Sequence, residues 1–297
     1  MSYSRFLDPE VLARIDNLEL LARTVVDGFI NGLHRSLYLG FSIDFAEHRP
    51  YMPGDDIRRI DWRVFGRTDR LYMKEFEADT NASFIVALDI SRSMEYSSAG
   101  ISKLDYARYL AACLTFLSRR QRDRVGIVTF DEELVDIVPA SAKHLDIVLH
   151  TLDRLEVGKS GGLERPVLKM AELLRRRSIV TLVSDLYHSP ETVLHSLSYL
   201  KNRGNEVIVF HILDPAELEF PFEDMGNFED LETGERVPVI PEKIRDEYRE
   251  QVRAHTEGLA KLLGENGIDY FLFDTSTPLD YALFKYLSRR EQLSRVR

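Results

Sequence analysis

From Ser83 onward the apolar positions fall into short continuous runs separated by amphipathic stretches. "FIVALD", "RVGIVTF", "SIVTLVSD", "NEVIVFHILD" and "DYFLFD" are apolar at successive positions, the pattern of strands buried on both faces. Between the first two, Leu104, Ala107, Leu110, Ala111, Leu114 and Leu117 recur at helical spacing. Helical patterns also cover about 141–154 and 164–176, and a long one runs from Pro241 to Leu263. Ser189 with Pro190, and Thr277 with Pro278, read as cap and first helical residue of two more helices. "LVDIVPA" follows "RVGIVTF" after only Asp131-Glu132-Glu133, which predicts a hairpin. Strands alternating with helices predict an α/β fold, a mostly parallel sheet with helices on both faces. Residues 215–240 break the alternation. There "FEDLETGERVPVI" reads as a small hairpin turned at Thr233-Gly234.

The N-terminal part has a different texture. Residues 8–35 read as one helix, with Asp8 as cap, Pro9 at the first helical position, and Leu18, Leu20, Leu21, Val25, Phe29 and Leu33 as its apolar stripe. An aromatic, charged, turn-rich stretch follows, with a turn at Pro53-Gly54-Asp55 and a strand-like alternation in "RLYMKEF". The boundary falls near residue 80. Residues 1–80 form an N-terminal α/β region containing "RPYMPGDD", and 81–297 an α/β domain with an insertion at about 215–240. No Gly/Ser linker divides them, so the two are expected to pack together.

Charge narrows the function classes. A net charge of -10 argues against general nucleic-acid binding, which needs a basic surface. The N-terminal stretch carries acids where a signal peptide would be apolar, and no run reaches the roughly 18–20 apolar residues of a membrane span. A cytoplasmic protein is expected. The single cysteine, Cys113, lies in the apolar pattern of "ARYLAACLTFL" and reads as a small core residue.

Two buried strands end in carboxylates, Asp89 after "FIVAL" and Asp185 after "SIVTLVS". In open parallel sheets, ligands sit beyond such carboxyl ends. Ser91 and Ser93 follow Asp89 at alternate positions, so both hydroxyls point the same way. An all-oxygen set of this kind suits a hard cation, Mg²⁺ with retained waters. The bland alternative is that aspartate and serines only close a turn.

Asp-x-Ser-x-Ser-Met after an apolar strand, here Asp89, Ser91, Ser93 and Met94, resembles the metal-ion-dependent adhesion site of von Willebrand factor A domains. That resemblance implies a Rossmann-like sheet with one antiparallel edge strand, which the hairpin "RVGIVTFDEELVDIV" matches, and Asp185 as second metal-binding aspartate. "RPYMPGDDIRRIDWRVFGRTDRLYMKEF", Arg49 to Phe76, resembles the signature of the domain-of-unknown-function 58 family. These are von Willebrand A-like proteins found with MoxR-type AAA+ ATPases, and "FEDLETGERV" resembles their insertion. The resemblance implies an adaptor or co-chaperone of such an ATPase acting on a client protein. One position departs from the adhesion-site pattern. Where a threonine is expected to bind metal, this chain has Leu163, which offers no oxygen; Ser160 would need a different loop path to replace it.

The segment "GDDIRRIDWRVFGRTDR" mixes acids with bases around the only tryptophan. Arg49, Asp55, Asp56, Arg58, Asp61 and Trp62 are candidates for partner binding, since Trp and Arg anchor interfaces. Ion-paired packing between the N-terminal region and the core is the alternative. No phosphate loop or nucleophile elbow is present in the sequence. A Mg²⁺-dependent phosphohydrolase using Asp89 is the enzymatic alternative, though the position two residues on, where an acid partner would stand, is Ser91. A metal-free scaffold is the third.

Overall fold

The structure, a computed structural model, describes residues 9–15, 17–35, 48–50, 65–66, 70–74, 82–98, 100–174 and 177–295. Six strands form the main sheet: β3 (Ser83–Asp89), β4 (Arg124–Phe130), β5 (Leu134–Ser141), β6 (Ser178–Ser184), β7 (Glu206–Leu213) and β10 (Asp269–Asp274). Their order is β10-β7-β6-β3-β4-β5. All neighbours are parallel except β5, which runs antiparallel to β4 at the edge. This is the mostly parallel sheet that the alternation of strand and helix predicts, with the antiparallel edge strand that the von Willebrand A resemblance implies. Two antiparallel pairs lie outside it: β1 (His48–Pro50) with β2 (Tyr72–Lys74), and β8 (Gly226–Glu229) with β9 (Arg236–Val239).

Strand alternation divides the core in two. Phe84, Val86 and Leu88 face one apolar cluster, while Ile85 and Ala87 face the other. The first cluster takes in helices α2 (Leu18–Arg35), α3 (Lys103–Arg120), α4 (Leu145–Asp153) and α9 (Leu279–Arg295). The second takes in α5 (Glu164–Leu173), α6 (Pro190–Asn202) and α8 (Pro241–Glu265). Helices therefore cover both faces. Leu21, Val25 and Phe29 of α2 lie in the same cluster as β3, so the N-terminal helix shares the core of the sheet domain. Cys113 is buried there, and burial pushes its thiol well up.

The N-terminal helix is not continuous. A first turn, α1 (Pro9–Leu12), stops, and α2 begins again at Leu18. The Asn17 side chain accepts from the Leu20 N–H at 2.8 Å, an N-cap that starts a second helix where the apolar stripe alone suggests one. The helical pattern from 141 starts late, because Ser141 still belongs to β5, and the next one ends at Leu173. A short helix, α7 (Pro215–Glu219), stands in the stretch that reads as irregular, held by a capping box of Asp214 and Glu217. The hairpin β8–β9 follows it as expected. Among the described residues no helix is long and apolar enough to cross a membrane.

The antiparallel edge depends on one glycine. A Cβ on Gly126 would stand 2.5 Å from the Val138 carbonyl oxygen and 2.8 Å from the Ala140 nitrogen, both backbone. Here the β4–β5 register shifts, between Val125 and Ile127. Gly126→Ala is expected to destabilise the fold by about 1–3 kcal/mol, the usual cost of overpacking; urea unfolding measures it, and an unchanged midpoint would contradict the close approach.

Candidate functional site

β3 and β6 are hydrogen-bonded neighbours, with Leu88 opposite Val183. Asp89 and Asp185 therefore leave the sheet at the same carboxyl edge, and both are buried. Asp89 closes the following turn with one oxygen: Oδ1 accepts from the Ser91 N–H at 2.9 Å. Its Oδ2 accepts from the Ser184 hydroxyl at 2.6 Å. The chain then winds into a single 3₁₀ turn, Arg92–Glu95, which brings Ser91 Oγ and Ser93 Oγ to 3.2 Å of each other. The turn-closing role of Asp89 and the convergence of the two hydroxyls thus coexist.

Asp185 has a different partner. Lys103, the first residue of α3, is fully buried, and its ammonium donates to Asp185 Oδ2 at 2.8 Å and to Glu217 Oε1 at 2.7 Å. It also stands 4.8 Å from the centre of the Tyr187 ring. Burial alone would lower the Lys103 pKa, but Asp185 and Glu217 outweigh it and hold the value above normal. Sequence patterning identifies neither Lys103 nor Glu217 as part of the site. A lysine in the first turn of a helix has no local mark of burial.

Asp89 is left with neutral donors and a carboxylate neighbour. Burial first, and then the charge of Asp185, push its pKa up to about 7, against the pull of Ser184 and Ser91. A site that disfavours its own anion in this way is one where a cation would be welcome. Among the described residues no three His, Cys, Asp or Glu side chains gather to hold a metal ion. Asp89, Ser91 and Ser93 come together, and Asp185 is close enough to raise the Asp89 pKa; all four offer oxygen, two of them from acids. In donor type they fit a hard cation that keeps several waters, as Mg²⁺ does.

A third loop completes the edge. Leu163, at the threonine position of the resemblance, is buried in the second core cluster at the start of α5. Before it, Gly161 packs so closely on Ser91 that an added Cβ would lie 3.0 Å from Ser91 Cβ. The Gly161 N–H donates to Glu232 Oε2 at 2.6 Å, and the Ser93 N–H donates to Glu232 Oε1 at 2.8 Å. The Ser160 hydroxyl donates to the Glu232 carbonyl at 3.4 Å. Glu232 comes from the turn of the β8–β9 hairpin. Sequence analysis places that hairpin correctly but carries no signal for where its tip points.

Of the other candidates, Arg49 lies in β1 opposite Met73. Asp55, Asp56, Arg58, Asp61 and Trp62 lie outside the described residues.

Residues 47–258 match the family described as "Protein of unknown function DUF58". The chain belongs to the DUF58 family. A DUF58 relative from Mycobacterium tuberculosis, "Uncharacterized protein Rv1480", is 30% identical over 264 residues, covering 86% of this chain and 82% of its own. Among solved structures, the chain is similar to "conserved hypothetical protein BatB" from Bacteroides thetaiotaomicron, at 17% identity and TM-score 0.49, over 71% of this chain and 99% of that one. It is similar also to an "aerotolerance-related membrane protein" from Bacteroides fragilis, at 16% identity and TM-score 0.49, over 70% and 99%.

Two predictions follow from the electrostatics of this DUF58 chain. Asp89 has a folded pKa of about 7 against an ordinary value of 3.8, so the folded state holds its proton more tightly. The associated stability is full below the ordinary value and is lost as pH rises through about 7. His211, pushed down to about 3 by burial, has the opposite slope but is common to wild type and variant. Asp89→Asn should therefore gain on wild type between about pH 4 and pH 7, by on the order of a few kcal/mol, in chelator-treated protein. Thermal unfolding of both proteins across that range is the check, and parallel curves would contradict the raised value. Removing the ammonium has a larger effect. Lys103→Met leaves Asp185 and Glu217 buried without their cation and should cost about 3–5 kcal/mol in urea unfolding at neutral pH.

Proposed function

We propose that the chain is a non-enzymatic docking module that receives an acidic group of a partner at the carboxyl edge of β3 and β6. The observation that carries this reading is the convergence there of Ser91 and Ser93 hydroxyls, 3.2 Å apart, beside Asp89, with Asp185 arriving at the same edge. Asp89, Ser91, Ser93 and Asp185 would hold a Mg²⁺ ion with retained waters. When bound, the ion supplies a positive centre that a partner carboxylate can complete. The side chains themselves supply orientation: Ser184 and the Ser91 N–H fix both oxygens of Asp89, and Lys103 fixes one oxygen of Asp185.

The sequence weighs against the phosphohydrolase: the position two residues after Asp89, where an acid partner would stand, is Ser91. The partner we propose is a MoxR-type AAA+ ATPase, for which this chain would act as adaptor or co-chaperone. Support for it is the family resemblance of the Arg49–Phe76 segment, whose Arg49, Asp55, Asp56, Arg58, Asp61 and Trp62 would add to the contact surface.

The test is to measure binding of the purified protein to the MoxR-type ATPase of its own organism, and the ATPase rate with and without it, in Mg²⁺ and in chelator. Association is expected, with a changed turnover, and Ser91→Ala/Ser93→Ala should weaken it about tenfold, equivalent to about 1.4 kcal/mol. No association in either condition would sink the partner assignment.

A further inference from the structure

The docking edge already holds a carboxylate of the same chain. Glu232 spans two separate loops, accepting from the Ser93 N–H of the β3 loop and the Gly161 N–H of the loop before α5, at 2.8 and 2.6 Å. These are backbone donors beside the two serine hydroxyls, and the hydrogen bonds are charge-assisted, so they are stronger than neutral ones. The approach is shaped for it. Gly161 lies against Ser91 with no room for a side chain, which brings its N–H level with that of Ser93. Across the edge, His188 is close enough for Asp185 and Glu232 both to favour its charged form, though burial outweighs them and lowers its pKa.

The hairpin that carries Glu232 is built as a tether. At its base, Phe220 packs on Tyr248 of α8 with ring centres 4.6 Å apart, and Phe228 packs on Phe220 and Phe222 at 5.5 and 5.0 Å. The tip is organised by Asp230, whose Oδ1 accepts from the Glu232 N–H at 2.8 Å, and whose carbonyl accepts from the Gly234 N–H at 2.7 Å. Among the described residues, β8 and β9 pair only with each other. Among the described residues, and apart from the long Ser160 contact, the hydrogen bonds joining tip to docking edge are those of the Glu232 side chain.

We propose that Glu232 is a tethered ligand: the β8–β9 hairpin fills the carboxylate position of the docking edge, and an acidic residue of a partner binds by replacing it. This rests on the docking reading and gives it a closed and an open state. The partner chemistry it selects is a glutamate or aspartate presented on an exposed turn, like the tip that it displaces. A tether occupied about nine-tenths of the time lowers the apparent affinity for a competitor about tenfold. Its effective concentration is roughly millimolar, within reach of a partner of ordinary affinity.

Hydrogen exchange at the Ser93 and Gly161 amides, followed by NMR in chelator, tests this without any ATPase. In wild type both amides should be protected. In Glu232→Ala both should exchange about tenfold faster, while strand amides of β3 and β6 stay unchanged and report an intact fold. Acetate, a free carboxylate, titrated to saturation, should restore protection in Glu232→Ala and leave wild type as it was. Equal exchange in the two proteins would overturn the contact. Faster exchange that acetate does not slow would overturn the ligand site. Neither result depends on the MoxR-type partner. If that partner binds, Glu232→Ala should bind it about tenfold more tightly than wild type, and equal affinity would overturn the competition.

Discussion

The carboxyl edge of the sheet is organised around one buried ammonium. Lys103 is fully enclosed and joins three elements that are far apart in sequence: the first turn of α3, the end of β6 through Asp185, and α7 through Glu217. Glu217 is doubly engaged, because its other oxygen accepts from the Asp214 N–H at 2.7 Å in the capping box. Asp214 in turn accepts from the Ser98 N–H at 2.8 Å, in the loop that leads to α3. The result is a closed ring of charged and capping contacts beneath the docking edge. In such a ring each bond polarises the next, and the enclosed charges are tolerated only together.

That ring sets the character of what lies above it. Its one cation serves Asp185 and Glu217, so Asp89 keeps only hydroxyl and amide donors. The edge is therefore graded, with balanced charge beneath Asp185 and an unbalanced acid at Asp89. On the proposed reading a cation would be drawn to the second, beside Ser91 and Ser93. Glu232 approaches by the remaining side, where the donors are backbone N–H groups rather than side chains. Acid and amide both adjoin the two serines, so the proposed reading assigns a cation and a carboxylate to one small region.

Much of this was legible in the sequence, for a definite reason. Continuous apolar runs mark the strands, and alternation with helices makes them parallel, so Asp89 and Asp185 must emerge on one edge. Neighbouring β3 and β6 then bring them close. What escaped depends on long-range packing. Lys103 sits in "SKLDYARYL", where a basic residue in a first helical turn suggests solvent. The break at Asn17 escaped because the apolar stripe continues across it, and periodicity does not sense a cap. The hairpin around Glu232 was legible from its turn residues, but the direction of its tip is fixed by Phe220, Phe228 and Tyr248, whose stacking no local pattern encodes.

Leu163 changes which parts of the edge can move. A threonine at this position would be a polar group able to slide toward an ion. A leucine is anchored: it is buried beside Val167 and Phe130, and drawing it out would expose a side chain whose burial is worth about 1.5–3 kcal/mol. The loop that carries it is thus a fixed wall. On the tethered-ligand proposal, responsiveness lies in the hairpin rather than in this loop, so that a rigid socket meets a movable plug. A surface arranged this way can be tuned by lengthening, stiffening or recharging the plug, without disturbing the core that shapes the socket.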